Sequence, residues 1–351
     1  MKELVFIHGL KEFYDSARQK KCVCFGAGKK LDEMCRDIPE LSDLIAYVVD
    51  NNPALDGSER TIDGKQKKVY SVNHLISDNT KNVLIIITSS YQTEIITQLN
   101  AISEFDDVEF CRFEKLFDNI AWNAIKPPMG FRKNNTPVIP KIIHYCWFGG
   151  ADIPDRLKEY IEGWKKRCPD YEFMLWNEEN YDVSKNEYIS AAYESGKWSF
   201  VTDYVRLDVV YQYGGIYLDT DVELIKRPDE LLYNDAYMGF ERLSTINSGA
   251  GFGAVMGFPI LKEMMDGYKR RRFVNEIDPN KMILCPEYET AVLQKHGLRL
   301  DGSFQVVDDM SIYPVMYFNA KSLYSDEMKI TDETISIHHC TWTWAGEKNK
   351  L

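Results

Sequence analysis

Asp203, Arg206, Asp219 and Asp221 combine residue types and spacings that could do chemistry. The stretch from Ser199 to Asp221 reads as a helix, a Gly214-Gly215 stop, a short apolar strand and two carboxylates one residue apart. In extended backbone, residues i and i+2 share a face, so Tyr217, Asp219 and Asp221 are expected to point the same way. Two anionic oxygen ligands at a strand end suit Mg2+ or Mn2+, completed by substrate phosphates rather than by an all-protein cage. On the helix before them Asp203 and Arg206 lie at i and i+3 and share a face. An arginine there suits phosphate oxygens, because its planar fork makes bidentate charge-assisted bonds. Asp208 falls on another face and reads as structural. The bland alternative is a pair of solvated carboxylates in a turn beside a surface ion pair.

Other segments could complete such a site. Trp147 closes an apolar strand that runs into Gly149-Gly150, and open α/β sheets bind ligands at the carboxyl ends of their strands. His144, in the middle of that strand, reads as a core histidine. Asn247-Ser-Gly249-Ala-Gly251-Phe-Gly253 is a glycine-rich turn into a strand. Its bland reading is tight packing; its functional reading is close backbone approach to a ligand, with Asn247 bonding a hydroxyl. Cys285-Pro286-Glu287-Tyr-Glu289-Thr290 begins a helix, where the dipole favours anions. His338 and His339 stand near Trp342 and Trp344, and only one of two neighbouring strand residues can face a site.

The run from Asp203 to Asp221 resembles glycosyltransferase family 32, the DXD sugar-binding family of fungal mannosyltransferases and bacterial capsular polysaccharide transferases. The catalytic domain of the glucosylating bacterial toxins is similar. Pro140-Lys-Ile-Ile-His144-Tyr-Cys-Trp147 resembles the family's opening strand, Cys168-Pro-Asp-Tyr-Glu-Phe-Met-Leu-Trp176 its next one, and Ile337-His338-His339-Cys340-Thr-Trp342-Thr-Trp344 its closing segment. The likeness spans about residues 138–346. It implies a GT-A-type domain and retaining transfer from a nucleotide-diphosphate sugar to a glycan or lipid-linked glycan acceptor. Asp203, Arg206, Asp219 and Asp221 are then the catalytic set. Asp221 ligates Mn2+ (or Mg2+) directly, Asp219 bridges the donor ribose and the ion, and His338 is the third protein ligand. Trp147, Tyr217, Asn247 and Trp344 bind the donor, with Trp147 stacking on the base, which favours UDP over GDP. The family places Gly-Pro where this chain has Cys285-Pro286.

Residues 1–125 read as a Rossmann-like α/β unit, with buried strands at Lys21–Phe25, Leu44–Val49 and Val83–Ile87. Gly26-Ala-Gly28 and Asp50 follow the layout of a dinucleotide fingerprint, but Leu31 replaces its third glycine. A nicotinamide-dependent oxidoreductase is therefore one rival reading, and a catalytically silent glycan-binding protein is another. Residues 126–140, rich in proline, are expected to be a linker, and 141–351 a second α/β domain with a mostly parallel sheet. A net charge of −12 argues against a nucleic-acid partner. The eight cysteines lack zinc-finger spacing, and the N-terminus lacks a secretory signal, so a reducing cytoplasm is expected, with at most peripheral membrane contact.

Overall fold

The computed structural model describes residues 1–6, 10–38, 40–78, 82–273, 284–322 and 328–341. The chain divides into two compact units, Met1–Ala124 and Ile125–Leu351.

In the first unit the strands are β1 (Lys2–Glu3), β2 (Lys21–Phe25), β3 (Ile45–Val49), β4 (Glu59–Ile62), β5 (Lys65–Tyr70), β6 (Val83–Ile87) and β7 (Glu109–Arg112). They form one sheet in the order β1-β7-β6-β2-β3-β5-β4, parallel throughout except for the edge hairpin of β4 with β5. Val83–Ile87 is buried along its whole length, as a strand covered on both faces must be. The glycine turn after β2 is closed by Asp50, whose Oδ2 accepts from the Ala27 N–H at 2.7 Å and whose Oδ1 accepts from the Asn52 N–H at 2.8 Å. Leu31, at the missing glycine, is fully buried. Asp50 therefore has a structural role in closing this turn.

The second unit holds β8 (Ile142–Cys146), β9 (Glu172–Trp176), β10 (Gly215–Tyr217), β11 (Val222–Leu224), β12 (Ala236–Gly239), β13 (Phe252–Ala254), β14 (Gln305–Val307), β15 (Met310–Tyr313) and β16 (Ser336–His338). Its main sheet runs β14-β15-β12-β13-β10-β8-β9. This sheet is mixed, not mostly parallel: β13 is antiparallel to both β10 and β12, and β14 to β15. The three-residue strands β10, β13 and β14 are too short for their side-chain pattern to show direction in the sequence. β11 and β16 pair separately, antiparallel. Trp164, buried on the helix Asp155–Arg167, donates its indole N–H to the Val222 carbonyl at 2.8 Å and so braces β11.

The proline-rich segment packs within the second unit. Asn134 and Val138 donate backbone N–H groups to Tyr233 and Leu232, and the Phe131 ring meets Phe304 edge-on at 4.9 Å. Among the described residues no helix is long and apolar enough to cross a membrane.

Candidate active site

The helix Trp198–Tyr213 is buried on nearly every side, and its interior includes Asp203 and Arg206 among Val201, Val205, Leu207, Val209 and Val210. A helix with no solvent stripe lies in a core, and charges there need partners. Arg206 finds several. Its Nη2 lies 3.2 Å from Oδ1 of Asp203 and 3.4 Å from Oδ1 of Asp219. Nε donates to the Thr202 carbonyl at 3.2 Å, and Nη1 donates to Ser248 Oγ at 3.3 Å. The guanidinium also sits 5.3 Å from the centroid of the Tyr217 ring.

Gly214 and Gly215 end this helix, at φ 66° and 104°, in the left-handed region where a side chain would be strained. A Cβ on Gly215 would also stand 2.8 Å from the Ile142 carbonyl oxygen. The sharp turn lets β10 drop into register beside β8, Tyr217 opposite His144.

The two carboxylates lie beyond β10, not on it. The strand ends at Tyr217, and Val222 N–H bonds back to the Asp219 carbonyl at 3.0 Å, so Asp219-Thr-Asp221 is a turn into β11. The expected shared strand face of Tyr217, Asp219 and Asp221 is therefore incorrect in its reason. Tyr217 reaches Asp219 by its hydroxyl, which donates to Oδ1 at 2.8 Å. At 1% exposure, Tyr217 braces Asp219 through that bond.

The pairing of β11 with β16, which sets Val222 opposite His338, brings that imidazole to the carboxylates. His338 Nε2 lies 3.3 Å from Asp221 Oδ1. Ligand atoms of Asp219, Asp221 and His338 all fall within 4.8 Å of one another. Thr341 holds the other Asp221 oxygen, donating from its N–H at 2.8 Å and its hydroxyl at 3.0 Å. Burial alone would raise the Asp221 carboxyl, but His338 and the Thr341 bonds outweigh it and hold the group below the usual carboxylate range. Burial presses the His338 imidazole down, while Cys340 and Asp221 together raise it well above its ordinary value. His339 turns elsewhere: its Nε2 meets Glu223 at 3.0 Å and its ring stacks on Tyr160.

Sequence reasoning passed over Ser248 and Glu289 as site residues. Fully buried Glu289 accepts from the Ser248 hydroxyl at 2.6 Å, the Ser248 N–H at 3.1 Å and the Cys285 thiol at 3.0 Å. It thereby clamps the 248–250 turn onto the helix Cys285–Lys295. The available signal is an acid at i+4 on a stripe of Cys285, Glu289, Val292 and Leu293, where an apolar residue belongs. Burial raises the Glu289 carboxyl, with Arg206 pulling the other way. Burial likewise pushes Asp203 up to about 7 against the pull of Arg206. Within the clamped turn, a Cβ on Gly249 would overlap Asp219 Oδ2 and lie 3.1 Å from Arg206 Nη1. Asn247 accepts from the Gly249 N–H at 2.7 Å and donates to Glu241 at 2.9 Å, so its amide serves the turn.

Trp147 stands half-buried just past β8, donating its indole N–H to the Ala151 carbonyl at 2.6 Å. Trp342 and Trp344 lie outside the described residues. His144 is fully buried. Trp176 donates to its Nδ1 at 3.1 Å, so its Nε2–H bonds the Gly214 carbonyl at 2.8 Å, and burial lowers the ring to about 4. Asp208 accepts from Tyr181 and Gln212 at 2.5 and 2.6 Å, a structural role.

Residues 154–238, which hold the helix and both carboxylates, match the family described as the glycosyltransferase sugar-binding region containing the DXD motif. The chain carries a DXD glycosyltransferase region. Inositol phosphoceramide mannosyltransferase 3 of Schizosaccharomyces pombe is 33% identical over 148 residues, covering 40% of this chain and 40% of that protein. Mannosyl phosphorylinositol ceramide synthase SUR1 of Saccharomyces cerevisiae is 28% identical over 161 residues, 45% of this chain and 38% of that protein. The chain thus spans less than half the length of these curated relatives. Among solved structures, the PaToxG glycosyltransferase aligns with a TM-score of 0.36 at 17% identity, over 45% of this chain and 69% of that one. His338, Glu289 and Ser248 lie outside the matched DXD region, which ends at residue 238.

Proposed function

We propose that this protein is a retaining, metal-dependent glycosyltransferase of GT-A type. It moves a hexose from a nucleotide diphosphate to a glycan or lipid-linked glycan acceptor, in surface polysaccharide synthesis. The observation that carries the reading is the convergence of Asp219, Asp221 and His338 within 4.8 Å, beside the buried Arg206. Two carboxylates and an imidazole fit a divalent ion, and the imidazole suits Mn2+ better than Mg2+. Bound there, the ion would neutralise charge developing on the leaving diphosphate.

The chain's own groups supply the positioning. Arg206 ties Asp203 to Asp219 and offers a fixed cation beside the donor phosphates. With its pKa pushed up to about 7, Asp203 both donates and accepts near neutrality, which suits a sugar hydroxyl. The reading assigns no side-chain nucleophile, so catalysis rests on positioning and on stabilising the leaving group. The Trp147 position favours a UDP-sugar, with a GDP-sugar as the alternative. The relatives' names, which speak of mannosyl transfer to an inositol phosphoceramide, support a hexose donor and an acceptor carried on lipid. The protein would then work in the cytoplasm and meet the membrane's inner face peripherally.

A thermal-shift screen of UDP- and GDP-sugars with and without Mn2+ tests the proposal. A ligand that binds the native state raises its stability by mass action. Stabilisation that needs both sugar nucleotide and ion supports it; a flat response across the whole panel rejects it.

A further inference from the structure

The donor-side cluster uses one nitrogen of His338, and the other nitrogen faces a different set of ligands. Nδ1 lies 3.5 Å from Sγ of Cys340. Ligand atoms of Glu241, His338 and Cys340 all fall within 4.8 Å of one another. The Asn247 amide, donating to Glu241 Oε1 at 2.9 Å, fixes that carboxylate in place. Cys340 holds its thiol there through a backbone φ of 46°, a conformation L-residues adopt at a cost and keep where the surroundings enforce it.

The spacing fits a particular ion. With Zn–S about 2.3 Å and Zn–N about 2.0–2.1 Å, tetrahedral zinc sets sulfur and nitrogen roughly 3.6 Å apart. Sγ and Nδ1 already stand at that separation. The two triads also differ in softness. Asp219, Asp221 and His338 suit a hard ion such as Mn2+, whereas a thiolate selects Zn2+.

We infer that Glu241, His338 and Cys340 form a second cation site, for zinc, which shares its histidine with the donor-side cluster and inhibits the protein when filled. A neutral imidazole offers one lone pair, because its other nitrogen carries the proton. A zinc ion at Nδ1 therefore leaves the proton on Nε2, facing Asp221 and no longer free to ligate an ion there. Zinc binding displaces the Cys340 thiol proton and the Nδ1 proton of the charged His338 ring to solvent, and it withdraws one ligand from the cluster that Mn2+ would use. The inhibitory half rests on the proposed function; the binding half does not.

Co2+ serves as a visible stand-in for zinc in the full chain. Titration should raise a thiolate-to-cobalt charge-transfer band that Zn2+ abolishes by displacement. Cys340→Ser should remove the band, and Glu241→Gln should weaken Co2+ binding at least roughly tenfold, since even an outer-shell partner of a metal ligand is worth about that much. Cys285→Ser and Asp221→Asn should both keep the band. Zn2+ should also inhibit Mn2+-supported donor turnover in the wild type far more than in Cys340→Ser. No band at saturating Co2+, a band that survives Cys340→Ser, or equal zinc inhibition in the two proteins would overturn the inference. Absence of turnover from every protein counts against the proposed function alone, since the band still decides the site.

Discussion

The Nε2 of His338 lies 3.3 Å from Oδ1 of Asp221, while the adjacent His339 sends its Nε2 to Glu223 at 3.0 Å. The two neighbours therefore serve different partners. His338→Ala should weaken Mn2+-dependent nucleotide binding at least roughly tenfold, since losing even an outer-shell partner of a metal ligand costs about that much. His339→Ala should lose only its contacts with Glu223 and Tyr160 and bind nucleotide nearly as the wild type does. Isothermal titration of both variants with UDP and GDP checks the ranking, and the reverse order would transfer the ligand role to His339.

Gly249 leaves no room for a side chain against Asp219 and Arg206. Gly249→Ala should push Asp219 aside, costing about 1–3 kcal/mol of stability, as overpacking a tight interior does. Donor binding should fall further than the change in melting temperature explains. A variant with wild-type binding and wild-type stability would mean that the turn yields easily and does not set the carboxylate's position.

Asp203 gives stability a pH dependence of definite sign. Its carboxyl is raised to about 7 by burial, partly opposed by Arg206, so from the ordinary carboxylate range up to about 7 the native state binds more protons than the unfolded chain. Stability must then fall as pH rises through that window and level off above it. Asp203→Asn removes this contribution, so its stability should vary less with pH between 5 and 7, in denaturant melts across that range. Turnover of the variant should drop sharply. An unchanged pH slope would show that Asp203 is already ionised at pH 5.

The docking of residues 125–140 bears on where the second unit can be cut. A chain starting at Ile125 keeps the Asn134–Tyr233 bonds and the Phe131–Phe304 contact, whereas one starting at Pro137 loses them. The longer piece should bind donor nucleotide with Mn2+, and the shorter should melt at a lower temperature. A folded Ile125–Leu351 that binds no nucleotide would place part of the donor site in the first unit.

The parallel strands of the first unit are legible because buried strands read as unbroken apolar runs: Lys21–Phe25 and Val83–Ile87 have the same limits in sequence and structure. Strands β10 and β13 are too short to reveal a direction, which hides the mixed sheet. The Asp203–Arg206 contact follows from i,i+3 helix geometry. The Ser248–Glu289 clamp joins two segments through tertiary packing, and no local period announces it. The same holds for β11 with β16, the pairing that delivers His338 to Asp221.

On the proposed function, Asp219, Asp221 and His338 hold a divalent ion that activates a sugar nucleotide. Proton NMR of the full chain with UDP- and GDP-hexoses, in Mg2+ and with Mn2+ controls read by chromatography, tests it most directly. The expected result is ion-dependent release of nucleoside diphosphate, a hexose that first appears in the donor's own anomeric configuration, and no release by Asp221→Ala, whose fold persists. Turnover that survives both chelation and Asp221→Ala would contradict it.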